Sequence, residues 1–353
     1  MGRKITLRDV AEAANVSVST VSRVIHRNPD VSPELRDRAN EAARRLGVNL
    51  HERNRAKTIA FLLGNRDRLH PFHSRVLVGT EGYCAKHGYS TLFLSFQYST
   101  TVPWRDLSLP QLLEGRQDIS GIVAGGTHSP ALLELLSHRR IPFAVLGNNV
   151  LSAWQHKNYD VVWLDDVRGA HSMTRYLQFL GHRAIGFVGN CQQPWVSRSY
   201  EGYRLAMSEA SLGPRMGTVE SDEEQEVGYL GTKSLLASGE PVSGILTADD
   251  PTAQGAYRAV KDHGLRIPDD LSLASLGETD AGALDPPLTT VQEFPDQVGK
   301  ELAKLVLNRI AHPDVAPQSS IIPTRLVKRA SCCPPRPIGL EKPREANISP
   351  GYF

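Results

Sequence analysis

Two adjacent aspartates, Asp249 and Asp250, stand at the carboxyl end of the apolar run Gly244–Leu246 and directly ahead of Pro251. A carboxylate in that position can cap the helix that the proline opens, or accept hydrogen bonds from the hydroxyls of a ligand. Neighbours on one loop need not converge on a bond as a hydrolase acid pair does. The chain has no GxSxG elbow, no GxxxxGK[ST] phosphate loop, no HExxH metal site and no GxGxxG fingerprint. Its four cysteines, Cys84, Cys191, Cys332 and Cys333, lack CxxC spacing and a nearby histidine pair. That fits reduced thiols rather than zinc or a disulfide framework. The residues point to binding rather than catalysis, with no cofactor and no metal.

A second set of informative residues lies near the amino terminus. Val18, Ser19, Ser22, Arg23 and His26 are small or hydrogen-bonding and share the outer face of a short helical pattern whose inner face is Val21, Val24 and Ile25. A helix with such an outer face can seat deep in a major groove. Its neighbours must hold it there. Thr6 and Asp9 form a capping-box pair ahead of Leu7, Val10, Ala11 and Ala14. Ser17 is the expected cap of the second helix. Ser32-Pro33-Glu34 opens a third, with Leu35, Ala39, Ala42, Ala43 and Leu46 inward. Three short helices, the first two joined by a tight turn at Asn15-Val16, describe a helix-turn-helix unit over residues 1–46.

The run TLRDVAEAANVSVSTVSRVIHRNPDVSPELRDRANEAARRLGV resembles, nearly position by position, the headpiece of the lactose-repressor (LacI) family of bacterial transcription regulators. The resemblance implies that Val18, Ser19 and Arg23 face base edges. It implies that Thr6, Ser17, Ser22, His26 and Ser32 face phosphates or steady the docking, with Thr20 in the same DNA-facing set. Base contacts set sequence choice, whereas phosphate contacts set register and salt dependence. His26 stands where relatives often carry asparagine.

In that family a hinge helix following the headpiece folds on the operator and wedges a leucine into the minor groove. Here residues 47–57, Gly47 to Lys57, are short, lack the usual proline and have no leucine in the usual late position. Arg53, Arg55 and Lys57 can still grip phosphates. A flexible basic tether and a shortened hinge are both open.

From Thr58 onward, short apolar strands alternate with helical patterns. The strands are Ile59–Leu63, Thr91–Ser95, Gly121–Ala124, Phe143–Leu146, Val161–Leu164, Ala184–Val188, Gly244–Leu246 and Leu271–Leu276. Helices are expected near Ser74–Lys86, Pro130–His138, Val167–Leu180, Tyr200–Glu209, Glu224–Ala237 and Thr252–His263. Such alternation reads as parallel sheet covered on both faces, in two lobes, with a ligand crevice at the strands' carboxyl ends. Leu180-Gly181-His182-Arg183, Thr247-Ala248-Asp249-Asp250 and Asp285-Pro286-Pro287-Leu288-Thr289-Thr290-Val291 resemble the same family's sensor. That sensor has the type I periplasmic-binding-protein fold. The resemblance covers about residues 5–333, so the expected class is an all-α headpiece followed by an α/β two-lobed sensor at 58–333. Lobe one is expected at about 58–148 plus 279–311, and lobe two at about 149–278 plus 312–333. Residues 334–353, with five prolines, read as a disordered tail.

Candidate cleft residues follow from strand ends and from the resemblance: Phe72 and His73, Asn148, Asp165, Trp195, Arg198, Asp250 and Glu278. Arg198 lies one residue from Ser199, which holds the position where relatives place an arginine. Glu278 stands where a pair of aspartates is common, which suggests an altered ligand preference.

Composition agrees with this division. Residues 1–57 carry 12 Lys+Arg against 7 Asp+Glu, and the rest carry 28 against 31. A basic head on a mildly acidic body suits a polyanion-binding head. No apolar run approaches a bilayer span and no signal core opens the chain, so a cytoplasmic protein is expected. The resulting reading is a homodimeric DNA-binding regulator, a repressor on a pseudo-palindromic operator. It is controlled by a small molecule, a sugar or related metabolite. A regulator with a sensor that has lost its ligand, and a solute-binding protein, are the rival readings.

Overall fold

The computed structural model describes residues 5–25, 30–47, 57–67, 70–114, 119–151, 158–219, 221, 223–239, 241–277 and 284–336. His26, Arg53, Arg55, Glu278, most of the 47–57 linker and residues 337–353 lie outside them. The headpiece has three helices: α1 (Leu7–Ala14), α2 (Val18–Ile25) and α3 (Pro33–Arg45). Each starts where its sequence supplies an oxygen for orphan amides. The Thr6 hydroxyl accepts from Asp9 N, and the Asp9 carboxylate accepts from Thr6 N at 2.5 Å. Ser17 Oγ accepts from Thr20 N at 3.0 Å, and Ser32 Oγ from Leu35 N at 3.4 Å. Asn15 ends α1 in the left-handed region, φ 50°. Val10, Val21, Val24, Val31 and Ala39 form the small core, and Arg38 bonds the carbonyls of Ala14 and Asn15.

The body continues with β1 (Thr58–Gly64), α4 (Pro71–Lys86), β2 (Ser90–Phe96), α5 (Gln111–Glu114), β3 (Gly121–Gly126), α6 (Pro130–His138), β4 (Phe143–Leu146) and β5 (Asp160–Leu164). Next come α7 (Asp166–Phe179), β6 (Ile185–Val188), α8 (Pro194–Glu209), β7 (Arg215–Gly217), α9 (Glu224–Ala237), β8 (Gly244–Thr247), α10 (Asp250–Asp262), β9 (Ser272–Leu276) and β10 (Thr289–Gln292). The chain ends in α11 (Pro295–Ala311), β11 (Ser319–Ile322) and β12 (Arg325–Val327). Among the described residues, no helix is long and apolar enough to cross a membrane.

Two six-stranded sheets result, in the orders β11-β5-β4-β3-β1-β2 and β12-β10-β9-β8-β6-β7. All pairings are parallel except β10 with β12. Central strands such as β1, β3, β8 and β9 are apolar and buried along their length, as sheets covered on both faces require.

The sheets correct the expected lobe boundaries. β5 was placed in lobe two, yet it pairs in the first sheet with β4 and with β11. β10 was placed in lobe one, yet it pairs in the second sheet with β9. The chain therefore crosses between lobes three times, after β5, β10 and β11. The crossings are tied together: Asp165 N donates to Ile322 O at 3.1 Å, and Thr324 Oγ1 donates to Asp165 O at 3.2 Å.

Other differences are local. α8 starts at Pro194, six residues before the expected Tyr200, because a proline suits a first helical turn. The described body runs past residue 333: Arg336 bonds Asp270 Oδ1 at 2.6 Å, so Pro334–Arg336 belong with it rather than with a tail. His182, in the Leu-Gly-His-Arg motif, is buried. It contacts Ser243 Oγ at 2.9 Å and the Cys333 carbonyl at 2.9 Å, which makes that motif structural.

Candidate functional site

The outer surface of α2 carries little that the fold needs. Val18 is 44% exposed, Ser19 and Arg23 are also exposed, and Ser22 is half-buried, while Val21 and Val24 point inward. Thr20 is half-buried and shares its hydroxyl with Ser17 Oγ at 2.8 Å. Thr6, Ser17 and Ser32 each sit at the amino end of a helix, where free N–H groups favour an anion such as phosphate.

The second site is a cleft between the lobes enclosing about 710 Å³ of empty space, mouth included. It gathers residues that follow strand ends in both sheets, as an open parallel sheet dictates. Lobe one supplies Arg66 and His70 after β1, Phe72 and His73 on the first turn of α4, and Asn148 and Asn149 after β4. Lobe two supplies Trp195 and Ser199 on α8, Asp249 and Asp250 after β8, Gly277 after β9 and Glu293 after β10. Asp166, first residue of α7, lies at the crossing between them.

Of the cleft residues expected from sequence, Phe72, His73, Asn148, Trp195 and Asp250 line this space. Two do not. Asp165 is a crossover residue whose backbone ties the crossings together, and the carboxylate facing the cleft is that of Asp166. Arg198 turns back onto Asp166, with Nε at 3.0 Å from Oδ2 and Nη2 at 2.9 Å from Oδ1, and its guanidinium lies 5.0 Å from the Trp163 ring centroid. Ser199, one residue later, takes the cleft-lining place.

Asn148 lines the cleft with its polar atoms already engaged. Its Oδ1 accepts from Leu164 N at 2.7 Å, and its Nδ2 donates to Leu164 O and to Asp166 Oδ2 at 2.6 Å. It positions Asp166. His73 is equally committed. Asn149 Nδ2 donates to its Nε2 at 3.1 Å, and its Nδ1 is 3.4 Å from His70 Nδ1. Burial, then the charges of His70, Arg66 and His128, hold the His73 pKa well below the usual range, so it stays neutral.

Arg66, His70, Asn149, Asp166, Ser199, Glu224 and Glu293 are not among the residues that the sequence singles out for the cleft, and Asp249 stands there with capping and ligand contact both open. Arg66 reaches across the lobes to Glu224, with Nη2 3.0 Å from Oε1, and lies 4.1 Å over the Trp195 ring. His70 Nε2 is 3.6 Å from Glu224 Oε2. Burial pushes Glu224 upward, but the His70 hydrogen bond and Arg66 outweigh it and the pKa falls. Asp249 both caps α10, accepting from Thr252 N at 2.8 Å, and lines the cleft. Burial, with Glu224 second, pushes it up to about 6. Glu293 is pushed up to about 8 by burial and then by Asp250, Asp166 and Asp249. One signal for Glu293 was present: an acid at a strand's carboxyl end just ahead of Pro295, as Asp249 and Asp250 precede Pro251.

Residues 6–48 match the family described as bacterial regulatory proteins, lacI family, and residues 174–332 match a periplasmic binding protein-like domain. The ribose operon repressor of Haemophilus influenzae is 30% identical over 338 residues, spanning 92% of this chain and 98% of that protein. The transcriptional regulator CelR in complex with cellobiose has a TM-score of 0.68 at 25% identity, over 93% of this chain and all of that one. The Lac repressor dimer bound to operator and an anti-inducer shares the fold, with a TM-score of 0.67 at 23% identity, over 94% and 100% of the two chains.

Proposed function

Because the chain belongs to the lacI family of bacterial regulatory proteins, we propose that it is a transcriptional repressor that reads operator DNA with α2 and senses a small metabolite in the inter-lobe cleft. The observation that carries this reading is the head itself. Three capped helices turn Val18, Ser19 and Arg23 outward on one face, within the stretch that matches the family. Val18, Ser19 and Arg23 contact base edges. Thr6, Ser17, Ser22 and Ser32 meet phosphates, and Thr20 braces Ser17. His26, Arg53 and Arg55 extend the phosphate-facing set. Two identical heads need two half-sites in matching symmetry, so the chain works as a homodimer on a pseudo-palindrome. Such a role places it in the cytoplasm and asks for no catalysis.

The effector occupies the space between Phe72 and Trp195 on the walls and Asp166, Asp249, Asp250 and Glu293 at the strand ends. A sugar or related metabolite is favoured because the H. influenzae relative represses a ribose operon and CelR is held with cellobiose. Glu278, outside the described residues, is proposed from the sequence as a further effector contact. Three inter-lobe crossings permit the lobes to shift about the cleft. A ligand that prefers one lobe arrangement changes operator affinity by its differential binding, typically about 1–3 kcal/mol.

Arg23→Ala should cost about 1–3 kcal/mol of operator discrimination. Competition between duplexes altered one base pair at a time measures this directly. An unchanged base preference would remove α2 from the recognition role.

A further inference from the structure

One aromatic wall of the cleft is already covered. The guanidinium carbon of Arg66 lies 4.1 Å from the centroid of the Trp195 ring, and both residues line the cleft. Arg66 Nη2 is also 3.0 Å from Glu224 Oε1, which joins the loop after β1 in lobe one to the start of α9 in lobe two. Both side chains are largely withdrawn from water, 13% and 20% exposed, so this is not a screened surface bridge. The hold is nevertheless incomplete. Arg66 Nε is buried with no acceptor among the described residues, whereas Arg198 gives three hydrogen bonds to Asp166. A buried N–H without an acceptor costs stability, so Arg66 can be dislodged where Arg198 cannot. Room for its withdrawal exists. A second empty space of about 290 Å³, mouth included, adjoins Arg66 and Trp195 and is lined also by Asn190, Gln193, Ser221 and Glu224.

We propose that Arg66 is a built-in competitor for the effector. In the empty cleft it covers Trp195 and latches the lobes through Glu224, and a sugar ring displaces it to stack on the indole. This rests on the effector reading of the cleft and names the residue that sets the effector's threshold. The guanidinium gains from the ring's negative face, and a sugar must offer its own apolar face in exchange. The displaced guanidinium keeps Glu224 beside it in the second space, so no charge is stranded.

A latch of this kind has a kinetic signature. Apparent affinity falls with the fraction of molecules in which Trp195 is uncovered. Breaking the latch raises that fraction and shows as faster association, because the bound state has lost nothing. A residue that held the ligand would act in the opposite sense, its removal giving weaker binding and faster release. Truncating Arg66 leaves Glu224 with His70 Nε2 at 3.6 Å, so the variant retains a partner for the carboxylate.

The experiment uses the full-length protein, its Arg66→Ala and Glu224→Gln variants and the double variant, with ribose, glucose and cellobiose as probes. Calorimetry gives affinities, and stopped-flow tryptophan fluorescence gives the two rates. The expected result is that at least one sugar binds, and that each single variant binds it about 3- to 30-fold tighter than the unaltered protein. The gain should lie in association, with release unchanged. The double variant should bind no tighter than Arg66→Ala, because one latch can be broken only once. If Arg66→Ala and Glu224→Gln leave affinity unchanged or weaken it with faster release, the latch fails while the effector cleft stands. Gains that multiply in the double variant would also overturn it. If none of the four proteins binds any of the sugars, the latch and the effector reading fail together.

Discussion

A chain beginning at Thr58 binds operator DNA at least 10³-fold more weakly than the full protein, the low end of the usual gap between specific and non-specific binding. The expectation follows from where the contacts lie. Every side chain assigned to base or phosphate is in the first 57 residues, which carry a net charge of +5, whereas the remainder carries −3. The body should survive the cut. Its two sheets close among residues 58–327, and the headpiece has a core of its own. Fluorescence anisotropy with a labelled promoter duplex and calorimetry with the effector test both halves of the statement. Operator affinity within tenfold of the full chain would show that the body reads DNA and would end the division of labour argued above.

Gly299→Val should destabilise the body by about 3 kcal/mol, at the upper end of the overpacking range. Helices α4 and α11 cross with their backbones nearly touching. A β-carbon at Gly299 would fall on the carbonyl oxygen of Val76, well inside van der Waals contact, and one at Gly79 would fall on the Asp296 carbonyl. A backbone oxygen inside a helix cannot swing aside as a side chain can. The helices must separate, and the apolar contacts of Val298, Leu302 and Val306 with β1 and β4 loosen with them. Thermal unfolding should show the midpoint falling by roughly 6–12 °C. Gly82, on the same α4, has open space where its β-carbon would stand. Gly82→Ala should therefore leave stability unchanged or raise it by about 0.5–1 kcal/mol. Equal losses at the two positions would mean that helix propensity, not the close crossing, sets the cost.

What the sequence discloses is what depends on near neighbours. The caps at Thr6, Ser17 and Ser32 each involve residues three apart, so the headpiece is legible almost to the residue. Helices α6 and α9 and strand β4 begin and end where their patterns do. Membership of a lobe is different. β11 pairs with β5 through Ser319 opposite Val161, and no local pattern records which of two sheets a strand of four residues joins. The short elements β7, β11 and β12 escape reading for that reason, and β10 is marked in the sequence only by the resemblance of Asp285–Val291 to the family's sensor. The cleft shows the same limit. Asp250 and Trp195 could be picked out because they follow strands that stand out. Arg66, His70, Glu224 and Glu293 meet only after the chain has crossed between lobes, and Asp166 displaces Asp165 because Asn148, 18 residues away, holds its carboxylate.

Under the proposed function, the two sites depend on one another through the lobes. Arg66, Glu224 and Trp195 tie lobe one to lobe two at the cleft's edge, and Asn148 ties lobe one to Asp166 at the first crossing. A ligand between Phe72 and Trp195 must alter these links to be felt at the operator. The permitted size of that effect is the difference in its affinity for the two lobe arrangements and no more.

The most direct measurement is operator binding by the intact protein, followed against salt concentration with its own promoter duplex, first alone and then with the cleft saturated by effector. The expected result is a straight fall of log affinity with log salt, and a shift of about 5–150-fold when the cleft is filled. A protein that shows no salt-sensitive binding to that duplex, or whose binding ignores a ligand demonstrably seated in the cleft, would contradict the account.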